Sequence, residues 1–440
     1  MMTSLAQNLR QSPYVSYAYS YPHKTAYRPL SVPMRLEDAW ASENKQSLFL
    51  YFHVPFCEMR CGFCNLFTTA NPNGNMTSAY LDALKRQAVE VRRALGDAHF
   101  ARLAIGGGTP TFLEPSELES LFDIAADIFD CDVDLIPASC ETSPLTADEA
   151  RLRVLRERGI DRVSIGVQSF VESEVRAVGR SQRTKVVEHA IERIRKFGFP
   201  VLNLDLMYGL PGQTVESWLV SLESALRFEP EELYLYPLYV RPLTGMSHHP
   251  KEWDDIRLAC YREGRSLLLN SGYEQRSMRM FRARRVANRE DPVYCCQDDG
   301  MVGLGCGARS YTRQLHYSSE YAVGCNGIQD IIENFIQSST HSFSLADYGF
   351  SLSTDEERRR FVIKSILRAD GLELGAYQQR FGRSGLDDFP QLAELSSEGM
   401  ASFDSDTLKL SEAGLELSDA IGPWLYSTNV HDLMKNYELR

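Results

Sequence analysis

Residues 51–64 read YFHVPFCEMRCGFC, and Cys57, Cys61 and Cys64 fall within eight positions of this stretch. Thiolates are soft ligands that select zinc, copper(I) or iron–sulfur clusters. A zinc site wants four ligands, and the nearest fourth candidate is His53, just upstream. An iron–sulfur cubane normally takes four cysteines, so three leave one iron open. The segment leading into the loop, Leu48–Val54, is a short apolar run of the kind that forms a buried strand.

Outward from this strand the pattern is regular. Further strands are predicted at Arg102–Ile105, Pro137–Glu141, Arg162–Val167, Val201–Met207 and Glu232–Tyr239. Helices are predicted at Ser78–Leu95, Pro115–Phe129, Ala147–Arg158, Thr184–Phe197 and Val215–Phe228. Strand–helix alternation with near-continuous apolar strands means a parallel sheet covered by helices. The expected fold is α/β: a partial (β/α)6 TIM-like barrel with an N-terminal arm and a C-terminal helical, winged-helix-like module. The expected divisions are 1–45 (arm), 46–260 (barrel), 261–345 (barrel extension with the glycine-rich GMVGLGCGARS) and 346–440 (C-terminal module). In such barrels chemistry sits at the C-terminal rim of the strands. The cysteine loop, GGGTP, Glu141, GVQSF, and Asp205 with YGLPGQT all fall there.

The formal charge of −12 argues against nucleic acid as a main partner, because an acidic chain repels phosphate backbones. The apolar runs are too short to span a bilayer, and the N-terminus lacks a signal-peptide h-region. Three of the ten cysteines crowd one loop and the rest scatter, which fits metal binding in a reducing cytoplasm rather than disulfides. The arm carries Tyr14, Tyr17, Tyr19, Tyr21 and Tyr27 among His23, Lys24 and Arg28, and reads either as packing or as a lid over a substrate site.

An open iron on a three-cysteine [4Fe–4S] cluster can chelate the amino and carboxylate groups of S-adenosylmethionine (SAM). One electron then cleaves the C5′–S bond to give a 5′-deoxyadenosyl radical, which takes a hydrogen atom from an inert carbon. The protein positions the cofactors and excludes water. Phe63, between the last two cysteines, is placed to pack on an adenine, while Phe56 and Phe67 keep solvent off the cluster.

Together YFHVPFCEMRCGFC, GGGTPT, LRERGIDRVSIGVQSF and NLDLMYGLPGQT resemble the oxygen-independent coproporphyrinogen III oxidase family of radical SAM enzymes, which also includes heme chaperones and C-methyltransferases. The likeness spans residues 48–240 and, more loosely, the C-terminal module. It implies that Cys57, Cys61 and Cys64 are cluster ligands. Tyr51, Phe63, Gly107 and Glu141 match positions around the cluster-bound SAM, and Arg309 aligns loosely with another. Gly108, Thr109, Gln168, Arg180 and Asp205 match residues that hold a second SAM. The cofactors implied are a [4Fe–4S] cluster and one or two SAM molecules. The partners implied are a tetrapyrrole or other small organic substrate and a flavodoxin- or ferredoxin-type electron donor.

Each site residue also has a plain alternative: GGGTP as a tight turn, Gln168 as a strand-end cap, Arg180 as a surface charge, Asp205 as a buried ion pair with Arg162. Two departures bear on the substrate. The oxidase has a further cysteine just after its third ligand, where Asn65 and Leu66 stand here. Its tyrosine–proline signature is echoed only at residues 19–22, and YLYPLYVRP at 234–242 is unusual. Cys295, Cys296 and Cys306 read as a second metal site or as small apolar filler, and His248 with His249 as a solvated loop. Three activities follow: porphyrinogen oxidative decarboxylation, radical C-methylation using two SAM molecules, or heme binding and delivery.

Overall fold

The computed structural model describes residues 5–18, 20–246, 256–286, 296 and 300–439. Tyr19, His248, His249 and Cys295 lie outside the described residues. Thirteen strands form one mixed sheet. Its centre is the expected parallel series: Leu48–Val54, Phe100–Gly107, Ala138–Thr142, Arg162–Gln168, Val201–Tyr208 and Glu232–Pro237, each hydrogen-bonded to the next in chain order. These strands are buried by helices on the outside; Leu202, Leu204 and Leu206 are fully buried. That two-sided burial is why they read as near-continuous apolar runs.

The structure adds a seventh parallel strand to the expected six. Met301–Leu304, from the glycine-rich segment, pairs with the free edge of Leu48–Val54, with Gly303 opposite Tyr51. A Cβ on Gly303 would stand 2.2 Å from the Arg309 carbonyl oxygen, so glycine permits the hairpin with Arg309–Tyr311. From there the sheet continues antiparallel through Leu315–Ser318 and Leu345–Ser351 to Arg28–Arg35 of the arm. The strand Leu345–Ser351 and the helix Arg257–Asn270 each run across a position where the sequence suggested a division. On the opposite edge, Met280–Ala283 runs antiparallel to Glu232–Pro237.

The helix Thr184–Phe197 buries Val187, Ala190, Ile191 and Ile194, a three-and-four spacing that makes one apolar face. It stops at Gly198, whose φ of +70° suits glycine. The helix predicted at 115–129 is interrupted: Pro115–Asp123 is α-helical, with Pro115 in the first turn and a Glu114–Glu117 capping box, and Ile124–Ile128 forms a π-turn.

The C-terminal module is the winged-helix-like arrangement expected. Helices Thr354–Ile366, Leu374–Phe381 and Leu392–Ser397 pack with a three-stranded sheet of Leu372–Glu373, Thr407–Leu410 and Ala401–Asp404. Its core also takes Leu5, Ala18, Tyr21, Ala26 and Tyr27 from the arm. The arm is therefore sewn into this module by burial of large side chains. Among the described residues no helix is long and apolar enough to cross a membrane.

Candidate active site at the barrel rim

The chain leaves Leu48–Val54 through Pro55 into the cysteine loop, which returns to pair Phe56–Cys57 with Thr69–Ala70. Each thiol has a different neighbour. Cys57 Sγ accepts from the Thr109 hydroxyl at 3.6 Å and Cys61 Sγ from Arg180 Nη1 at 3.3 Å, while Cys64 Sγ lies 3.7 Å from the Thr68 hydroxyl. The loop is clamped by Gly62, whose N–H donates to the Val178 carbonyl at 2.8 Å and whose carbonyl accepts from Met246 at 2.9 Å. A Cβ there would meet the Val178 oxygen at 2.9 Å. Phe63 packs on the buried cluster of Val178, Met207, Leu210, Leu238 and Met246. Burial raises the Cys57 thiol to about 12 and also raises that of Cys61, so these two sulfurs favour the neutral thiol until a cation or cluster compensates their charge.

Among the described residues no trio of His, Cys, Asp or Glu donors gathers as on a single metal ion. Tetrahedral zinc, with Zn–S near 2.3 Å, would draw thiolates to about 3.8 Å from one another. Three soft donors spread around one loop, without a fourth, suit the corners of a cubane.

GGGTP closes over this loop, and each glycine meets a different group. Gly108 donates to the Val54 carbonyl at 2.8 Å, and a Cβ on it would stand 2.6 Å from the Phe56 oxygen and 3.0 Å from Cys57 Sγ. A Cβ on Gly107, at φ +115°, would stand 2.6 Å from the His53 ring. Gly106 faces the Glu141 carboxylate, a Cβ on it falling 3.1 Å from that group, and the Gly107 N–H donates to Glu141 Oε2 at 3.1 Å. The rigid turn and the approach to the site are thus one feature. Tyr51 holds its hydroxyl 3.2 Å from His53 Nδ1.

Glu141 and Asp205 line the barrel lumen. Water reaches Glu141, yet protein surrounds it, and that recess with Asp205 repulsion lifts its carboxyl to about 7. Asp205 rises to about 6 through the same desolvation, despite accepting from Asn203 Nδ2 at 2.8 Å. The alternative pairing of Asp205 with Arg162 does not occur: Arg162 Nε donates to Glu232 at 2.7 Å. Two under-compensated carboxylates in one recess await a cation or hydroxyl donors.

Gln168 ends its strand at φ +68°, a left-handed conformation unusual for glutamine that aims its amide toward Gly166. Arg180 is not a free surface charge: it donates to the Gly166 carbonyl at 2.6 Å and the Gln182 amide oxygen at 2.7 Å as well as to Cys61.

Sequence reasoning missed three groups. His53 is one; it appeared only as a spare zinc ligand. The second is buried Glu174, which accepts from Ser169 at 2.6 Å, Gln213 at 2.9 Å and Ser217 at 2.5 Å and so ties the GVQSF loop to LPGQT. The third is Arg241, and with it the gathering of Lys24 and Arg309, each noted separately in the sequence, into one cationic set around His23; burial first and then these charges push that imidazole well below its ordinary value. Lys24 Nζ lies 3.7 Å over the Tyr321 ring, and the Tyr321 hydroxyl donates to the Asn65 carbonyl at 2.6 Å, so the arm reaches the cysteine loop. Cys306 is buried filler beside Tyr80, and burial holds its thiol far above the ordinary range.

A parallel α/β barrel with a CxxxCxxC loop after its first strand and a glycine turn on an acidic lumen defines a radical SAM protein. Residues 51–225 match the radical SAM superfamily, and residues 352–417 match the HemN C-terminal domain. The chain thus carries a radical SAM domain followed by a HemN-type C-terminal domain, and it is similar to proteins named oxygen-independent coproporphyrinogen III oxidase and heme chaperone HemW. It is 27% identical over 430 residues to the oxygen-independent coproporphyrinogen III oxidase of Escherichia coli, covering 90% of this chain and 91% of that one. It is 26% identical over 389 residues to the heme chaperone HemW of Bacillus subtilis, covering 84% and 97%. The solved coproporphyrinogen III oxidase HemN from Escherichia coli superposes with a TM-score of 0.79 at 25% identity, covering 93% and 96%. The family implies a [4Fe–4S] cluster and SAM, and the thiol set and acidic recess fit both.

Proposed function

We propose that the chain carries out SAM-dependent radical oxidation of a carboxylate-rich tetrapyrrole, as in porphyrinogen oxidative decarboxylation. The observation that carries this reading is the reach of a cationic set to the three-thiol loop: Lys24, which surrounds His23 together with Arg241 and Arg309, lies over the Tyr321 ring, whose hydroxyl donates to the Asn65 carbonyl beside Cys64. When bound, the cluster and SAM supply a carbon-centred radical able to remove hydrogen from an unactivated carbon.

In this reading Cys57, Cys61 and Cys64 hold the cluster. Tyr51, Phe63, Gly107 and Glu141 shape the SAM site, with the Glu141 carboxylate accepting from ribose or ammonium. Gly108, Thr109, Gln168, Arg180 and Asp205 border the space for a second SAM. Thr109 and Arg180 already donate to cysteine sulfurs, which ties any such space directly to the cluster ligands. The cations orient substrate carboxylates toward the rim, since fixed guanidinium and ammonium groups bind carboxylate strongly where water is scarce. The half-buried tyrosines Tyr17 of the arm and Tyr234 and Tyr236 of the strand Glu232–Pro237, with Tyr17 edge-on to Tyr236, help keep water out. A propionate would give its β-hydrogen atom to the carbon radical, release carbon dioxide and pass one electron to an external one-electron acceptor, leaving a vinyl group.

Heme binding and delivery is the second reading. It is favoured by the absence of the oxidase's further cysteine after the third ligand, where Asn65 and Leu66 stand here, and by the likeness to HemW. One anaerobic incubation separates the two. The reconstituted protein is given SAM, dithionite and coproporphyrinogen III, and products are weighed by mass spectrometry. Protoporphyrinogen with 5′-deoxyadenosine supports decarboxylation, and S-adenosylhomocysteine beside it marks methyl transfer. Tight heme binding with no porphyrinogen turnover would replace the first reading by the second.

A further inference from the structure

The loop 178–183 joins the short helix Glu172–Ala177 to the helix Thr184–Phe197 and walls an open cleft beside the rim. Arg176, Arg180 and Arg183 line the cleft, and its lining holds no carboxylate. On a chain with a net charge of −12 this is a local reversal of sign. Arg176 and Arg183 are exposed. Neither has a carboxylate partner among the described residues, whereas neighbouring arginines do: Arg162 pairs with Glu232, Arg195 with Glu231 and Arg227 with Glu188. The cleft is also wired inward. Arg180 carries its guanidinium to 3.3 Å from Cys61 Sγ, and the Val178 carbonyl holds the Gly62 N–H. The cysteine loop therefore backs directly onto this arginine surface.

We propose that this cleft is the docking surface for an acidic one-electron carrier protein of the flavodoxin type. The inference rests on the radical SAM reading, because a centre held by Cys57, Cys61 and Cys64 must be reduced from outside. The net charge of −12 repels an acidic carrier as a whole, so encounter is steered to a patch where arginines stand without carboxylates. The flavin hydroquinone of the docked carrier becomes the semiquinone as one electron passes to the centre behind Cys61. No covalent bond forms between the proteins. Arg176 and Arg183 supply the attraction, while Arg180 stays on its internal partners.

The test uses the full chain and two double variants, R176E/R183E and the size-preserving R176Q/R183Q. Calorimetric titration with oxidised flavodoxin at low salt reads docking without any need for SAM. Separately, SAM cleavage by the reconstituted protein is driven either by reduced flavodoxin or by dithionite, a small reductant that needs no docking surface. The expected result is wild-type binding that weakens with salt, and a Kd raised on the order of tenfold or more by charge reversal. The flavodoxin-driven rate should fall in step while the dithionite-driven rate stays within about twofold. The glutamine pair should show the same order with a smaller factor, which covers any disturbance of the loop by glutamate. Absence of wild-type binding, or variants that bind and accept electrons from flavodoxin as well as wild type, overturns the proposal. Failure of wild type to cleave SAM even with dithionite would instead sink the radical SAM reading, and the calorimetry would still decide the docking.

Discussion

His53 occupies the space that side chains on Gly107 and Gly307 would fill: a Cβ on either would stand within 2.7 Å of the imidazole. Its Nε2 lies 3.0 Å from the Phe67 carbonyl, an acceptor only, so Nε2 carries the hydrogen and Nδ1 accepts from the Tyr51 hydroxyl at 3.2 Å. Burial lowers the ring to about 4, which keeps it neutral at working pH. Gly107→Ala forces a β-carbon into this ring at a φ of +115°. The folded state should lose roughly 1–3 kcal/mol or more from backbone strain alone. Urea unfolding checks this, and an unchanged midpoint would contradict the packing role.

The recess of Glu141 and Asp205 sets a pH dependence. Both carboxyls ionise later than in water, at about 7 and about 6. A cationic ligand needs them ionised, so SAM affinity should fall as pH drops through 7, with proton release on binding. Glu141→Gln should weaken SAM roughly tenfold to a hundredfold at pH 8, the worth of a hydrogen bond to a charged group, and flatten the profile. The sign for stability is opposite. A carboxyl whose folded value lies above its unfolded one costs stability as pH rises between the two, so the variant without ligand should be more stable at neutral pH. Calorimetry in buffers of different ionisation enthalpy reads the protons; equal pH profiles for variant and wild type would refute the assignment.

Cys61→Ala removes one corner of the thiol set. Anaerobic reconstitution should then give little iron and sulfide and no brown absorbance, with the fold intact by circular dichroism. Full cluster content in this variant, or zinc in wild type, would reject the ligand assignment.

Arg279 and Asp419 form a buried ion pair, 3% and 1% exposed, between the strand Met280–Ala283 region and the C-terminal module, with the Tyr17 ring 3.7 Å from the guanidinium. Asp419→Ala leaves a buried charge without its partner and should cost about 3–5 kcal/mol. Replacing both, as R279M/D419L, should recover much of that loss, because no charge is stranded. Denaturant unfolding of both variants decides it; a loss near zero for Asp419→Ala would mean that the pair does not tie the module to the barrel.

Local periodicity made much of the barrel readable. Leu48–Val54 and Thr184–Phe197 have the predicted bounds, the first from its apolar run and the second from its apolar stripe and terminal glycine. The three-thiol loop was also visible, because soft ligands at close spacing are a local property. The place of Met301–Leu304 was not: short strands are expected across 270–315, but only tertiary pairing puts this glycine-flanked one parallel to Leu48–Val54. The π-turn at Ile124–Ile128 is similarly hidden in an uninterrupted helical pattern.

By itself the sequence determined the strand–helix alternation and the soft-donor loop, since both follow from residues within a few positions of one another. Tertiary structure alone decided that Gly107 makes room for His53, that Arg180 leans on Cys61 rather than on solvent, and that Arg162 pairs with Glu232 instead of Asp205. Those partners are separated by 54, 119 and 70 positions. Which side chains meet over such spans depends on how the packed strands bring their rim loops together, and no local pattern encodes that.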